Sequence, residues 1–357
     1  MPEGPELHIS SKFVNESLKE LIFSGKILKS EVSKNPNVEW KVPLFTIQAE
    51  SRGKEMKLWL QEFSPNKINS QLKKISILFR FGMSGCFKLS TADDIPKHSH
   101  LRFFTIKDGQ KPIQVLNFVD FRRFGKWEVN ADWGLDRGPC PIMDYENFRK
   151  NIVDNLGGPA FKQKAVCEVL LNQKFFNGIG NYLRAEILFR SKIAPFDEAY
   201  TVLCNWKDAA CYPNKRENVE KSDIRDPLYL CHAVCIEVLK LSGGYDVEKG
   251  LKDNTAFKNW LQCYQNPSMK NLKDRHQRTI WFDGEPGILA PRDNPRRPKT
   301  KKQRISVYSP EPNLEPDNAN IPKVRKMNLT ETKLTVDADA VTVRRSPRFS
   351  GAVINSI

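Results

Sequence analysis

The chain has 357 residues, 39% of them hydrophobic, which suits two ordinary domains with buried cores and a tail. Lysine and arginine outnumber aspartate and glutamate by 57 to 42, and the net charge of +15 favours a polyanionic partner, either nucleic acid or an anionic membrane surface. No long apolar segment and no secretory signal pattern is found. Nucleic acid is therefore the better candidate.

The N-terminal stretch MPEGPEL is predicted to begin an amphipathic helix. Pro5 fits its first turn, and the carboxylates of Glu3 and Glu6 favour the positive end of its dipole. The apolar side is formed by Leu7, Val14, Leu18 and Leu21. This interpretation explains the composition of the stretch without any catalytic role for its residues.

The same stretch also has a chemical interpretation. Met1 is normally removed when a small residue such as Pro2 follows, and the chain would then begin with a secondary amine. An α-amino group titrates near pH ~8 and is partly unprotonated at neutral pH, so Pro2 could act as a nucleophile. The stretch alone leaves both interpretations open.

Apolar and polar residues alternate along much of the chain between residues 45 and 130, as is typical of strands. The strands are predicted at 45–50, 55–61, 74–81, 101–106, 113–119 and 126–130. This half of the chain is predicted to be a β-sandwich or a flattened barrel.

From about residue 144 the apolar spacing becomes helical. Helices are predicted at 145–156, 159–175, 181–191, 227–241 and 256–264, with a loop at 205–225. The segment RHQRTIWFDGEPG is predicted to form a hairpin of two short strands. The fold class is thus α+β and multidomain, with the β part first.

The composition changes at Asp293, after which prolines are frequent and tryptophan is absent. It predicts a disordered tail over 293–357. The run RRPKTKKQR at 296–304 suits a nuclear localisation signal or a loose nucleic-acid clamp, and a solvated tail without a dedicated role is the alternative.

The eight cysteines show no C-x-x-C pair and no regular spacing, which indicates free thiols in a reducing compartment. Cys231 with His232 and Cys235, or Cys263 with His276, could supply zinc ligands. The first group, however, has the spacing of a buried helix face, and the second has two ligands where a structural site needs about four. We therefore expect no metal.

The stretch NGIGN at 177–181 lies between two helical patterns, and Asn181 stands at the predicted N-cap of the second. A glycine-flanked helix N-terminus exposes N–H groups that can hold a phosphate, and Asn181 adds side-chain donors. The alternative, which the spacing alone favours, is an ordinary helix corner with Asn181 as a cap only.

Six motifs occur in order: PEGPEL, SRGKE at 51–55, FGMSG at 81–85, DFRRFGKW at 120–127, FFNGIGNYLRAEIL at 175–188 and DRHQRTIWF at 274–282. Together they resemble the Fpg/Nei family of DNA glycosylases, most closely its vertebrate Nei-like members. The resemblance covers residues 1 to about 292.

The resemblance implies a catalytic β-sandwich domain over 1–133 and a helix-two-turn-helix DNA-binding domain over 134–292, with DNA in the cleft between them. A zincless-finger hairpin is expected at about 263–287, before the tail at 293–357. The implied enzyme is a base-excision-repair DNA glycosylase and AP lyase for oxidised pyrimidines and ring-opened purines. It would work without a cofactor.

By this resemblance, Pro2 attacks C1′ of the damaged nucleotide, the base departs, and the resulting iminium accepts electrons during β,δ-elimination. Glu3 would carry protons as general acid and base. Lys54 would contact the phosphate and sugar near the lesion. Glu6 and Tyr245 would belong to the pocket for the extruded base.

Asn181 and Arg278 match the remaining groups of the family's phosphate clamp. Met83, Arg122 and Phe124 match the residues that fill the gap left by the extruded base. Without the resemblance, Met83 and Phe124 would be assigned to the core.

Two departures from the family pattern stand out. Only Cys263 remains where bacterial members have a four-cysteine zinc finger, so the hairpin must be held by packing of Ile280, Trp281 and Phe282. The loop SGGYD at 242–246, at the position of the family's lesion-recognition loop, lacks a basic residue before Gly244, which leaves the lesion preference open.

Two other functions are considered: a catalytically silent DNA-binding module, and an unrelated enzyme with an N-terminal proline base, such as a tautomerase. Pro2, Glu3 and Lys54 together argue against a silent module, and the length and charge argue against a tautomerase. The expected partners are damaged DNA, whether duplex, bubble or single-stranded, and repair proteins through the tail. We also expect no membrane partner, a monomeric chain and, from the family and the basic tail, a nuclear location with a mitochondrial pool as an alternative.

Overall fold

The computed structural model describes residues 2–65, 72–209, 225–241 and 255–291. The predictions for the loop at 242–246, with Tyr245, and for the tail at 293–357 lie outside these residues. The helices are α1 Gly4–Ser17, α2 Tyr145–Asn155, α3 Val166–Val169, α4 Asn181–Ser191, α5 Ala199–Cys204, α6 Pro227–Lys240 and α7 Thr255–Trp260. The strands are β1 Phe23–Lys29, β2 Leu44–Arg52, β3 Glu55–Glu62, β4 Lys74–Arg80, β5 Cys86–Thr91, β6 Ser99–Thr105, β7 Gln114–Val119, β8 Lys126–Val129, β9 Lys270–Lys273 and β10 Thr279–Phe282.

The first eight strands form an antiparallel β-sandwich, as predicted. Their order is β5-β7-β6-β1-β2-β3-β4-β8, and the link between β1 and β2 is short, with Phe23 opposite Phe45 and Ser24 opposite Leu44. The ring of Phe79 on β4 lies 5.0 Å from that of Phe87 on β5 and 5.0 Å from that of Phe118 on β7. Strands from opposite ends of the sheet therefore pack face to face and enclose the core.

Strands β1 and β5 were not predicted, because neither shows a sustained alternation. In β1, Gly25 and Lys26 interrupt the apolar residues, and the register with β6 shifts between Phe23 and Ile27. In β5 only the first two residues, Cys86 and Phe87, are fully buried. Both strands depend on their neighbours in the sheet more than on their own sequence.

The helix predicted over 159–175 is wrong. Phe161, Ala165 and Val169 are buried as a helix face would be, but only α3 is helical and the rest of the segment consists mainly of turns. The reason is that Val166 N–H donates to the Asp197 carbonyl at 2.9 Å, and Cys167 N–H to that of Pro195 at 3.0 Å. The backbone is used for tertiary contacts in place of helical ones.

The other helices agree better with prediction. Helices α2, α4 and α6 lie where expected, α7 begins one residue early and ends at Trp260, and the short α5 was not predicted. The α6 stripe of Cys231, Val234, Cys235 and Val238 is buried, which confirms its assignment to the core. No helix among the described residues could cross a membrane, and no group of three or more His, Cys, Asp or Glu side chains there is arranged to hold a metal.

The C-terminal hairpin exists, but its first strand was misplaced. Strand β9 lies upstream of the predicted segment, and residues 274–278 form the turn. Ile280 and Phe282 are buried, and Trp281 lies 4.8 Å from the ring of Tyr264, so the predicted packing is confirmed. A buried salt bridge of 2.8 Å between Arg184 of α4 and Asp274 adds to it.

Candidate active site

Three motifs that are distant in the sequence meet at glycines. Gly4 N–H donates to the Gly178 carbonyl at 2.8 Å. A Cβ on Gly178, whose φ is +106°, would lie 3.3 Å from Gly53 Cα and 3.4 Å from Gly4 Cα. Only glycine suits this backbone conformation and this approach. The contact brings PEGPEL, SRGKE and NGIGN together.

Glu3 caps the N-terminus of α4. Its Oε1 accepts a hydrogen bond from Tyr182 N–H at 3.0 Å, and its Oε2 accepts one from Leu183 N–H at 3.3 Å. The prediction of Asn181 as N-cap is wrong, because Gly180 is the N-cap and Asn181 begins the helix. The Asn181 amide instead donates to the Thr279 carbonyl at 3.0 Å, which ties α4 to the hairpin.

Gly180 is required by this arrangement, since a Cβ there would lie 2.2 Å from Glu3 Cδ. We expect Gly180→Ala to displace the carboxylate and to reduce the free energy of unfolding by about 1–3 kcal/mol. Urea unfolding measures this effect. Gly157→Ala is the matched control, because no atom lies within 4 Å of its added Cβ. Equal behaviour of the two variants would contradict the prediction.

Glu3 and Glu6 form a buried pair at the start of α1. Glu3 N–H donates to Glu6 Oε2 at 2.9 Å, and the Tyr182 hydroxyl donates to Glu6 Oε1 at 2.9 Å. Together with Pro5 in the first turn, this capping box confirms the predicted helix start. Burial raises the pKa of Glu3, and burial followed by repulsion from Glu3 raises the pKa of Glu6 to about 7.

This raised pKa predicts a pH dependence of stability. Because the folded state binds the Glu6 proton more tightly than the unfolded state, stability is greatest below the unfolded pKa of ~4.3 and decreases as the pH rises through about 7. We expect Glu6→Gln to remove a decrease on the order of 1–3 kcal/mol between pH 5 and pH 8. Thermal unfolding across this range measures it, and parallel curves for the two proteins would contradict it.

An open cavity of about 660 Å³ lies beside the carboxylate pair. It brings together five predicted site residues: Pro2, Lys54, Met83, Asn181 and Arg278. Four further polar residues line it that the sequence analysis did not single out: Arg80, Arg137, Gln173 and Tyr264. The cavity is thus rich in cationic and hydrogen-bonding groups.

Lys54 is held in this cavity by its surroundings. Its Nζ donates to the Ile179 carbonyl at 2.7 Å. Burial lowers the pKa of Lys54, the Glu3 carboxylate opposes this shift, and the charges of Arg137 and Arg278 reinforce it. An anion bound here would favour the charged form of the lysine.

Arg80 is fixed by Glu55, whose Oε1 accepts a hydrogen bond from Arg80 Nε at 2.8 Å. Glu55 is fully buried, and its Oε2 also accepts one from Gly134 N–H at 3.0 Å. Alternation in β4 merely assigned Arg80 to the polar face. The sequence feature that could have identified Arg80 as a site residue is its position directly before the FGMSG motif.

The residues expected to fill the gap in DNA are exposed. The exposed fractions of Met83 and Phe124 are 38% and 55%, which contradicts the alternative, open without the family resemblance, that both belong to the core. The Arg122 guanidinium lies 5.4 Å from the centre of the Phe124 ring. The loop is shaped by Asp120, a buried residue that sequence analysis missed, whose Oδ2 accepts a hydrogen bond from Gly125 N–H at 2.7 Å.

The fold is shared with bacterial Fpg proteins. The MutM (Fpg) protein of Thermus thermophilus superimposes with a TM-score of 0.56 at 18% identity, covering 79% of this chain and 97% of that chain. The Lactococcus lactis Fpg protein, in a complex with DNA containing an oxidised pyrimidine, gives a TM-score of 0.54 at 21% identity, with coverage of 79% and 97%. The class of protein is therefore an Fpg-like fold.

Sequence comparison defines the family. The Formamidopyrimidine-DNA glycosylase N-terminal domain matches residues 1–127, and the DNA-binding region of Endonuclease VIII-like 1 matches residues 253–291. Human Endonuclease 8-like 1 is 43% identical, covering 98% of this chain and 93% of the relative, and the mouse protein is 48% identical, covering 86% and 78%. The chain belongs to the Fpg/Nei family of DNA glycosylases, with Endonuclease 8-like 1 proteins among its relatives.

Proposed function

We propose that this glycosylase removes oxidised pyrimidines and ring-opened purines from DNA and then nicks the strand at the abasic site. The single observation that carries the proposal is that Pro2 lines one cavity with Lys54, Asn181 and Arg278. Glu3, the next residue in the chain, is anchored at the N-terminus of α4. The proposed nucleophile and the proposed anion-binding groups thus face one space, and the proposed proton carrier directly follows the nucleophile in the chain.

The nucleophile in this proposal is the amine of Pro2 after removal of Met1. Its lone pair forms a bond to C1′ as the bond to the damaged base breaks, and opening of the sugar gives an iminium ion. Because the amine is secondary, this iminium is cationic without an added proton and accepts the electrons left at C2′ when a proton is lost there. The 3′-phosphate then leaves, and a second elimination releases the 5′-phosphate.

Glu3 is proposed as the proton carrier of the reaction. Burial raises its pKa, while the two N–H groups of Tyr182 and Leu183 and the charge of Lys54 stabilise its anion. These opposing influences suit a group that must both donate and accept a proton. The nearby Glu6, with a pKa of about 7, is proposed to contact the extruded base.

The phosphate clamp is proposed to consist of Lys54, Asn181 and Arg278. The Asn181 Oδ1 atom is buried and has no hydrogen-bond partner among the described residues, while the amide nitrogen is bound to Thr279. The arginine and the lysine supply positive charge from two different parts of the chain. Met83, Arg122 and Phe124 are proposed to enter the duplex when the base leaves it.

The wider assignments remain proposals. We propose catalytic and DNA-binding domains over 1–133 and 134–292, a hairpin at about 263–287, and Tyr245 as part of the lesion pocket. Damaged DNA is the proposed substrate of a monomeric enzyme in the nucleus, with repair proteins bound through the basic tail. The net charge of +15 and the run at 296–304 support these partners.

Covalent trapping tests the proposal. Protein shown to begin at Pro2 is mixed with an oligonucleotide carrying an abasic site or an oxidised pyrimidine, and borohydride is added. We expect an adduct that mass spectrometry locates at Pro2. The control is a chain extended before Pro2, in which the nitrogen belongs to a peptide bond and cannot form an iminium.

The outcomes separate the candidate functions. An adduct in the natural protein and none in an extended protein that still binds the DNA supports the enzyme. Binding by both proteins without any adduct would overturn the lyase proposal and favour a silent DNA-binding module. A tautomerase would bind DNA weakly and show little salt dependence, whereas a DNA enzyme loses affinity with salt.

A further inference from the structure

The side chain of Gln173 lies among the groups of the candidate active site. It lines the cavity of about 660 Å³ together with Lys54 and Arg137. The residue stands just before the NGIGN stretch at 177–181, whose glycine contacts bring the three N-terminal and central motifs together. The reaction proposed above gives Gln173 no part, although its contacts are the most complete of the polar groups around Lys54.

The Gln173 amide has a hydrogen-bond partner at every position. Its Nε2 donates to the carbonyls of Leu171 at 3.0 Å and Ile179 at 2.9 Å. Its Oε1 accepts hydrogen bonds from Gly178 N–H at 3.1 Å and from Arg137 Nη1 at 3.4 Å. Because carbonyl groups only accept and these N–H groups only donate, the amide can take only this orientation. The side chain is therefore fixed at both ends.

The donor end of the amide shares its acceptor with Lys54. The Ile179 carbonyl accepts one hydrogen bond from Lys54 Nζ at 2.7 Å and another from Gln173 Nε2 at 2.9 Å. A carbonyl oxygen has lone pairs for both donors, and the bond from Gln173 opposes rotation of the peptide group between Ile179 and Gly180. Gln173 thus holds the acceptor to which the lysine is bound.

The acceptor end of the amide holds Arg137 beside the lysine. This is the one side-chain hydrogen bond of the Arg137 guanidinium within the described part of the chain, and the Glu55 carboxylate lies 4.0 Å from its Nε. Gly138 N–H donates to the Gln173 main-chain carbonyl at 3.0 Å, which fixes the backbone next to the arginine. The Arg137 charge reaches Lys54, since it adds to burial, the main cause, in lowering the pKa of that lysine.

We propose that Gln173 is a positioning residue for Lys54, which fixes the acceptor of the lysine with one end of its amide and the neighbouring cation with the other. Its effect on the reaction rests on the function proposed above, in which Lys54 contacts the phosphate and sugar near the lesion. Gln173 itself makes and breaks no bond. Without its amide, the Ile179 peptide group and the Arg137 guanidinium would both be released, and Lys54 would lose its fixed place.

The first measurement needs neither DNA nor catalysis. The full chain is treated briefly with acetic anhydride, and mass spectrometry gives the labelling rate of Lys54 relative to exposed lysines. In Gln173→Met, which has a similar length but no hydrogen-bonding group, Lys54 should be labelled about threefold to tenfold faster, as the loss of one hydrogen bond predicts. Gln48→Met is the matched control, because this glutamine is exposed on β2 and lies outside the cavity.

The second measurement tests whether Gln173 acts through Lys54 during the reaction. Single-turnover excision of an oxidised pyrimidine is measured for Gln173→Met in the natural protein and in a Lys54→Gln background. We expect a loss of about tenfold in the natural protein and no further loss in the Lys54→Gln background, because the two residues act as one unit. A merely structural role of Gln173 would lower the rate in both backgrounds equally.

A milder variant, Gln173→Asn, keeps the amide but is one methylene shorter. It should show the same pattern with smaller effects, and it replaces Gln173→Met if that protein does not fold. The proposal is overturned if Lys54 is labelled as in the Gln48→Met control, or if the rate decreases equally with and without Lys54. If the natural protein excises no base, the proposed function fails, whereas the labelling rate still decides whether Gln173 holds Lys54. The labelling rate also decides if the Lys54→Gln background has no measurable rate.

Discussion

On the proposal that Glu3 carries protons, its replacement by Gln should reduce base excision and the proposed strand nicking by about 10²–10⁴-fold, the usual contribution of a general acid or base. The structure adds a loss of stability. Both carboxylate oxygens accept hydrogen bonds from α4 N–H groups, and the amide of glutamine would turn an NH₂ group toward one of these donors. We expect the free energy of unfolding to decrease by about 1–3 kcal/mol.

Both effects of the Glu3→Gln substitution can be measured on one preparation. Single-turnover cleavage of an oligonucleotide containing an oxidised pyrimidine gives the rate, and urea unfolding gives the stability. Glu16→Gln is the matched control, because this glutamate lies on the same helix but is exposed. A Glu3→Gln protein that is destabilised yet keeps its rate when fully folded would show that Glu3 acts only as a helix cap.

The second large effect is expected at the base of the hairpin. Replacing Asp274 by Asn leaves the fully buried guanidinium of Arg184 without its counter-ion, which typically costs about 3–5 kcal/mol. Asp274 Oδ1 also accepts hydrogen bonds from His276 N–H and Arg278 N–H, both at 2.9 Å. The turn that presents Arg278 should therefore change shape, and DNA affinity should decrease together with stability.

Asp154→Asn provides the control for this substitution. Asp154 forms a salt bridge with Lys150 on the surface of α2, where both side chains are exposed. Exposed pairs contribute about 0–1 kcal/mol, so the control should unfold almost like the natural protein. Thermal unfolding and DNA binding of the two variants are compared directly. Equal stability of the two would indicate that the Arg184 pair adds little to the hairpin.

Regular local patterns were sufficient to predict much of this fold. Period-two alternation located six of the eight sandwich strands, and helical spacing located α1, α2, α4 and α6. These predictions succeeded because each element buries one face, so that apolar residues recur along its own sequence at the period of a strand or of a helix. The segment 159–175 failed for the opposite reason, since its buried residues follow a helical spacing while its backbone bonds to residues 195 and 197.

The candidate site was likewise predicted only in part. The motifs named Pro2, Lys54, Asn181 and Arg278, and the structure places all four around one cavity, although their chemical roles remain predictions. The sequence did not indicate that Glu3, rather than Asn181, meets the first N–H groups of α4. The free N–H groups at a helix N-terminus can donate to any nearby acceptor. Local spacing in the sequence identifies only those acceptors that come from the same segment.

Composition and motif order were enough to predict a basic, two-part protein that resembles DNA glycosylases, and the comparisons confirmed that family. The tertiary structure decided which residues lie together: the glycine contacts, the buried hydrogen bonds among Glu3, Glu6 and Tyr182, and the Arg184 salt bridge. Each of these joins residues from distant parts of the chain. Local propensities describe a residue and its near neighbours, whereas burial, pKa and charge depend on groups that only folding brings together.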